Sequence, residues 1–92
     1  MAALDLLGQR WTLRLLWELR GGPLGFRELQ QRCDAMSSSV LSDRLSDLRD
    51  AGLVEKDDDE RHALTDIGRD LAAAISPLSE WADRWAALTS PI

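Results

Sequence analysis

Apolar residues recur at helical intervals through most of the chain. Trp11, Leu15 and Leu19 are spaced by four and Leu16 widens their stripe, which predicts a helix over 10–20. Leu13 and Trp17 lie partly off that stripe, so the helix is apolar round most of its circumference and is expected to pack on two sides. Ahead of it, residues 2–7 read as a short helical turn ended by Gly8. Gly21-Gly22-Pro23 stops the long helix, and Leu24-Gly25-Phe26 reads as an extended stub. Phe26, Leu29 and Cys33 then share one face of a second helix over 27–33. Asp34-Ala35-Met36 is a three-residue turn, and Ser37 is placed to cap a third helix by accepting a free N–H of its first turn. That helix carries Val40, Leu41, Leu45 and Leu48 inward and ends at Ala51-Gly52, where glycine suits the left-handed position past the last turn.

After Gly52 the helical period is lost. Leu53 to Lys56 predicts a short strand, Asp57-Asp58-Asp59-Glu60 a polar turn, and Arg61 to Leu64 a return strand. Thr65 and Asp66 suit the start of another helix, through a cap bond and a negative charge at the positive end of its dipole. Pro77 is expected to interrupt or restart it. A last helix over 78–88 places Leu78, Trp81, Trp85 and Leu88 on one stripe. The order helix, helix, helix, hairpin, helix, helix gives the fold class: mainly α with a small β-hairpin, a winged helix-turn-helix.

Composition narrows the function. The 92 residues form a single domain (1–92) with a thin core, in which a large catalytic cleft is not expected. The net charge is −5, so any contact with nucleic acid must come from a local basic surface. Residues 1–56 are neutral, with eight basic and eight acidic side chains, and all the net charge lies in 57–92. Cys33 is the only cysteine and His62 the only histidine, which excludes an intrachain disulfide and a multi-cysteine zinc site. No base, nucleophile and orienting group come together, so no catalytic residue, cofactor or metal is assigned. Asp57 to Glu60 lack the spacing of a calcium loop. The longest apolar run, Leu71 to Ile75, is too short to span a membrane, and no basic leader opens the chain. A cytoplasmic protein is expected.

With these elements in order, the sequence resembles the HxlR-type winged helix-turn-helix transcriptional regulators of bacteria, part of the wider MarR-like group. Leu6-Leu7-Gly8-Gln9-Arg10-Trp11-Thr12-Leu13 resembles the family's opening, and Gly25-Phe26-Arg27-Glu28-Leu29-Gln30 its next helix start. Ser37 through Val54, Leu64-Thr65-Asp66-Ile67-Gly68 and the Trp81/Trp85 pair match further family stretches. The resemblance implies a homodimer that binds a pseudo-palindromic operator on double-stranded DNA, often under control of a small-molecule effector. The recognition helix would be 37–51, lying in the major groove, and the wing 53–65. The N-terminal (2–20) and C-terminal (66–89) helices would form the dimer surface.

Individual residues follow. With its leucines inward, the third helix turns Ser38, Ser39, Ser42, Asp43 and Ser46 outward. Small hydroxyls allow close approach and bond to bases or phosphates, and Arg44 and Arg49 are long enough to reach phosphates. The expected DNA contacts are Arg27, Ser38, Ser39, Ser42 and Arg44, with Arg61 from the wing. The chain departs from the family at Ser39, Asp43 and Ser46, where the family has Lys, Gln and Arg, and its wing is shorter and acidic. Cys33 reads as a small buried hydrophobe and His62 as a half-exposed strand residue. Four tryptophans exceed what a thin core encloses, so Leu4, Leu7, Trp81 and Trp85 are expected at the dimer interface. An aromatic-lined cavity between those helices would suit a small apolar effector. A second reading, favoured by the acidic wing, is a winged-helix protein-interaction or small-molecule-binding dimer with no direct DNA contact.

Overall fold

The computed structural model describes residues 2–89, with side chains from Asp5 onward, so the side chain of Leu4 lies outside the described residues. The elements are α1 (Ala2–Leu7), α2 (Thr12–Leu19), α3 (Phe26–Arg32), α4 (Ser38–Asp50), β1 (Val54–Lys56), β2 (His62–Leu64) and α5 (Asp66–Thr89). The strands pair antiparallel, with Val54 opposite Leu64, Glu55 opposite Ala63 and Lys56 opposite His62. The fold is a winged helix-turn-helix.

The core is built mainly from leucine. Leu15, Leu16 and Leu19 of α2 meet Leu29 and Cys33 from α3 and its end, and Leu41, Leu45 and Leu48 of α4; all are essentially inaccessible to water. Val54 and Leu64 close it from the hairpin and Ala72 from α5. Burying each leucine side chain contributes about 1.5–3 kcal/mol, so this cluster is the main term holding the domain together.

Local chemistry sets the boundaries. Ser37 Oγ accepts the Val40 N–H at 3.2 Å, the expected cap of α4. Glu28 Oε1 accepts the Gly25 N–H at 3.3 Å at the start of α3. Gly52 takes φ 76 just beyond α4. Thr65 Oγ1 accepts the Gly68 N–H at 3.1 Å and donates to the Gly52 carbonyl at 2.6 Å, tying the start of α5 to the end of α4. Gly68 is required by contact: a Cβ there would lie 2.1 Å from the Leu53 carbonyl oxygen.

Four expectations are corrected. The long helix starts at Thr12, because Trp11 is left-handed (φ 78) and cannot belong to the same helix. Val40 is 37% exposed: the Leu41–Leu45–Leu48 stripe already faces the core, and the residue before Leu41 is rotated about 100° from it. Pro77 neither breaks nor restarts the last helix, which runs unbroken for 24 residues. The proline ring removes one hydrogen bond, at a cost of about 3 kcal/mol, and the alanine-rich turns before it tolerate the loss. His62 is 4% exposed rather than half-exposed, because Leu24 bridges to it beside the two-stranded sheet, Leu24 N–H to His62 O at 2.9 Å and back at 2.8 Å.

Candidate nucleic-acid interface

The helix-turn-helix is α3, the turn and α4. Asp34 and Ala35 both adopt left-handed φ (58 and 57), an unusual pair for residues that are not glycine. Packing holds the turn in place, with Cys33 and Met36 buried on either side of it. Gln30 spans it, its Nε2 donating to the Met36 carbonyl at 2.9 Å and to Ser38 Oγ at 3.1 Å. Arg14 of α2 braces the same corner, donating to the Arg32 carbonyl and pairing with Glu18 at 3.2 Å and Asp34 at 3.7 Å. Helix α4 is thus set at a fixed angle by hydrogen bonds as well as by leucine.

On α4, Ser38, Ser39, Ser42 and Asp43 are exposed. Ser39 Oγ sits 3.3 Å from Ser37 Oγ. Arg27 is exposed at the start of α3 and meets no carboxylate among the described residues. These four positions, Arg27, Ser38, Ser39 and Ser42, lie on the exposed surface of the helix-turn-helix. Arg44 is placed differently. It lies on the flank of α4, only 24% exposed, paired with Asp47 at 3.3 Å, and its Nε has no partner. Arg61 on the wing pairs with Asp57 at 3.3 Å and Asp59 at 3.5 Å.

The structure brings Arg49, already long enough to reach phosphates, together with Lys56 beside this surface. A cleft of about 240 Å³ opens between α4 and the hairpin, lined by Ser42, Arg49, Lys56, Glu60 and His62 above Phe26. Arg49 is exposed and its Nη1 lies 3.3 Å from His62 Nε2. Among the described residues Lys56 pairs with Glu60 alone, at 3.5 Å. The seven-residue step from Ser42 to Arg49, two helical turns, puts Arg49 on the same face as that serine. Burial pushes the His62 imidazole below its ordinary pKa, and the neighbouring Arg49 and Lys56 charges push it the same way. Both effects favour the neutral ring, which can accept from Arg49 at Nε2.

The wing turn is held by Asp57. Its Oδ1 accepts the N–H groups of Asp59 and Arg61, both at 2.9 Å, and these backbone bonds, the one from Arg61 foremost, draw its carboxyl below the usual range. Among the described residues no group of His, Cys, Asp and Glu is arranged to hold a metal ion. No helix of the described residues is long and apolar enough to cross a membrane. Cys33 is fully buried, and burial raises its thiol pKa, which disfavours the thiolate.

At the other end of the chain, Trp81 and Trp85 stack with ring centroids 5.8 Å apart and planes 6° from parallel, both about half exposed. Leu7 is partly buried and packs against the core. Trp11 and Trp17 are also partly buried, and Arg20 lies 3.7 Å over the Trp17 ring. A cleft of about 820 Å³ beside α1 and the first turns of α5 is lined by aliphatic and acidic residues.

A family model of the HxlR-like helix-turn-helix matches residues 6–90. The HTH-type transcriptional regulator YvaP of Bacillus subtilis is 33% identical over 89 residues, spanning 90% of this chain and 82% of that protein. The HTH-type transcriptional regulator Rv3095 of Mycobacterium tuberculosis is 40% identical over 89 residues, of whose length this chain spans 56%. Among solved structures, the quinone-bound form of YodB from B. subtilis superposes with a TM-score of 0.80 at 31% identity, covering 90% of this chain and 92% of that one. These relatives are transcriptional regulators and not enzymes, and the chain belongs to the HxlR-like helix-turn-helix family of transcriptional regulators.

Proposed function

We propose that the protein binds a pseudo-palindromic operator on double-stranded DNA as a homodimer, with α4 in the major groove and the short hairpin beside it. The observation that carries this reading is the exposed hydroxyl edge Ser38–Ser39–Ser42, continued by Arg49 and Lys56 in the cleft next to the wing. Ser38, Ser39 and Ser42 approach base edges and phosphates; Arg27, Arg49 and Lys56 neutralise phosphates on either side. Arg44 and Arg61 join the contact set only on leaving Asp47 and the wing carboxylates. The single domain 1–92 associates through 2–20 and 66–89, with Leu4, Leu7, Trp81 and Trp85 at the interface. The half-exposed Trp81–Trp85 stack supports this, since exposed apolar area of that kind marks association surfaces. The quinone held by YodB supports a small-molecule effector here as well.

The test is fluorescence anisotropy of the full chain against duplexes selected from a random pool, at two salt concentrations, with mass in solution measured alongside. A dimer enriching a palindrome, with affinity falling steeply as salt rises, is expected. Arg49→Ala is expected to lower the slope of log affinity against log salt by about one unit. A dimer that enriches nothing at low salt favours the second reading, a protein- or ligand-binding module. The internal pairing of Arg61 with Asp57 and Asp59 and of Lys56 with Glu60 is the observation on that side.

A further inference from the structure

A large cleft lies behind the recognition helix, between α1, the C-terminal end of α4 and the first turns of α5. Its volume is about 820 Å³, within the range of small-molecule sites. Leu6, Leu7, Leu53, Ile67 and Leu71 form its apolar wall. Four carboxylates stand around that wall: Asp5, Asp47, Asp50 and Asp70. Among the described residues only Asp47 meets a cation, Arg44 at 3.3 Å; Asp5, Asp50 and Asp70 meet none, and no basic side chain lines the cleft. Asp47 and Asp50 also sit in the last turn of α4, at the negative end of its dipole, where a carboxylate is unfavourable and a cation favourable. The aliphatic wall and the uncompensated negative rim call for one kind of occupant, an apolar body carrying positive charge.

We propose that this cleft binds a lipophilic organic cation: a molecule of drug size whose apolar or aromatic body lies on Leu6, Leu53, Ile67 and Leu71, with Leu7 left to the association surface, and whose charge faces Asp50, Asp70 and Asp5. As an effector site the assignment rests on the regulator reading, and it gives that reading a route. The occupant touches Asp47, Asp50 and Ala51 on α4 and Leu53 at the entry to the wing, so it contacts both DNA-facing elements from behind. Binding itself is measured on the free protein and stands or falls apart from any operator.

The experiment is isothermal titration of the full chain with tetraphenylphosphonium, with neutral triphenylphosphine oxide and anionic tetraphenylborate as probes of similar body, and mass in solution recorded throughout. Tetraphenylphosphonium is expected to bind at least tenfold more tightly than the neutral probe, and the anion not to bind. Asp50→Asn with Asp70→Asn is expected to weaken the cation at least tenfold and leave the neutral probe unchanged. Ile67→Lys, at an exposed position that tolerates the change, is expected to abolish cation binding with the helical circular dichroism intact. Equal affinity for the three probes, or undiminished cation binding by the double variant, overturns the proposal. So does a change of oligomeric mass in the double variant, which would assign the cleft to a second copy of the chain.

Discussion

Between Asp66 and Ile75, helix α5 belongs to the domain core: Gly68 and Ala72 are buried, and Leu71 and Ile75 pack against the leucine cluster. From Pro77 to Thr89 the same helix carries the same apolar stripe with nothing over it. Leu78 is 48% exposed, Trp81 50%, Trp85 56% and Leu88 86%. The two halves differ in what the rest of the chain can reach. A domain of this size exhausts its core with the first half, and the second projects past it, which is why the molecule measures 46 × 28 × 22 Å. An apolar stripe shows that a helix face needs cover; whether the cover comes from the same chain or another depends on how much core there is to share.

The largest effect separates these regions at once. Leu45→Ala removes a fully buried side chain at the centre of the core and is expected to cost about 2–5 kcal/mol, comparable to the whole stability of a small domain. Urea titration reads this as a lower midpoint, independent of protein concentration where the chain is monomeric. A loss below about 1 kcal/mol would mean that the leucine cluster is not the main support of the fold.

The next effect falls on the uncovered half. Trp81→Ala and Trp85→Ala remove stacked, half-exposed rings that lie outside the buried core cluster, so folding of the single chain is expected to be nearly unchanged. Self-association is expected to weaken about 30-fold or more, the scale of a central aromatic in an interface. Sedimentation across a concentration series checks this. An unchanged dimer would assign the tryptophan face to another partner.

What the sequence made legible follows the same division. The caps at Ser37 and Thr65, the turn at Asp34 to Met36, Gly52 and the hairpin were readable because each depends on a residue and its near neighbours. The burial of His62 was not readable, because it depends on Leu24, 38 positions earlier, bridging to it beside the sheet. The continuity of α5 through Pro77 was hidden because a proline's local penalty can be outweighed by the turns on either side. In the candidate interface, the exposure of Ser38, Ser39 and Ser42 was legible from helical phase, whereas Ser46 is half-buried. The pairing of Arg44 with Asp47 was not read, because the reading weighed Arg44 by its charge and not by its i, i+3 neighbour.

A smaller effect probes the buried region through pH. Folding lowers the His62 pKa from 6.5 by burial and by the charges of Arg49 and Lys56, so the folded protein refuses a proton that the unfolded chain accepts. The His62 contribution is complete above pH 6.5 and is lost as pH falls below it toward the folded value. Melting temperature is expected to drop between pH 7.5 and pH 5.5, and His62→Gln to flatten that part of the profile. A profile that keeps its slope in His62→Gln would place the titrating group elsewhere.

The smallest effect belongs to the wing, which neither region covers. Arg61 makes two ion pairs there, with Asp57 and Asp59, but both are exposed and screened by water. The turn is instead held by Asp57 Oδ1, which accepts two backbone N–H groups at 2.9 Å. Arg61→Ala is therefore expected to leave stability unchanged within error at low and high salt, while Asp57→Ala lowers it measurably at both. Amide exchange at Asp59 and Arg61 checks the cause: both N–H groups should exchange faster in Asp57→Ala and at the original rate in Arg61→Ala. If Arg61→Ala speeds them equally, the ion pairs hold the turn, and the wing, like the core, depends on side-chain contacts that the folded chain brings together.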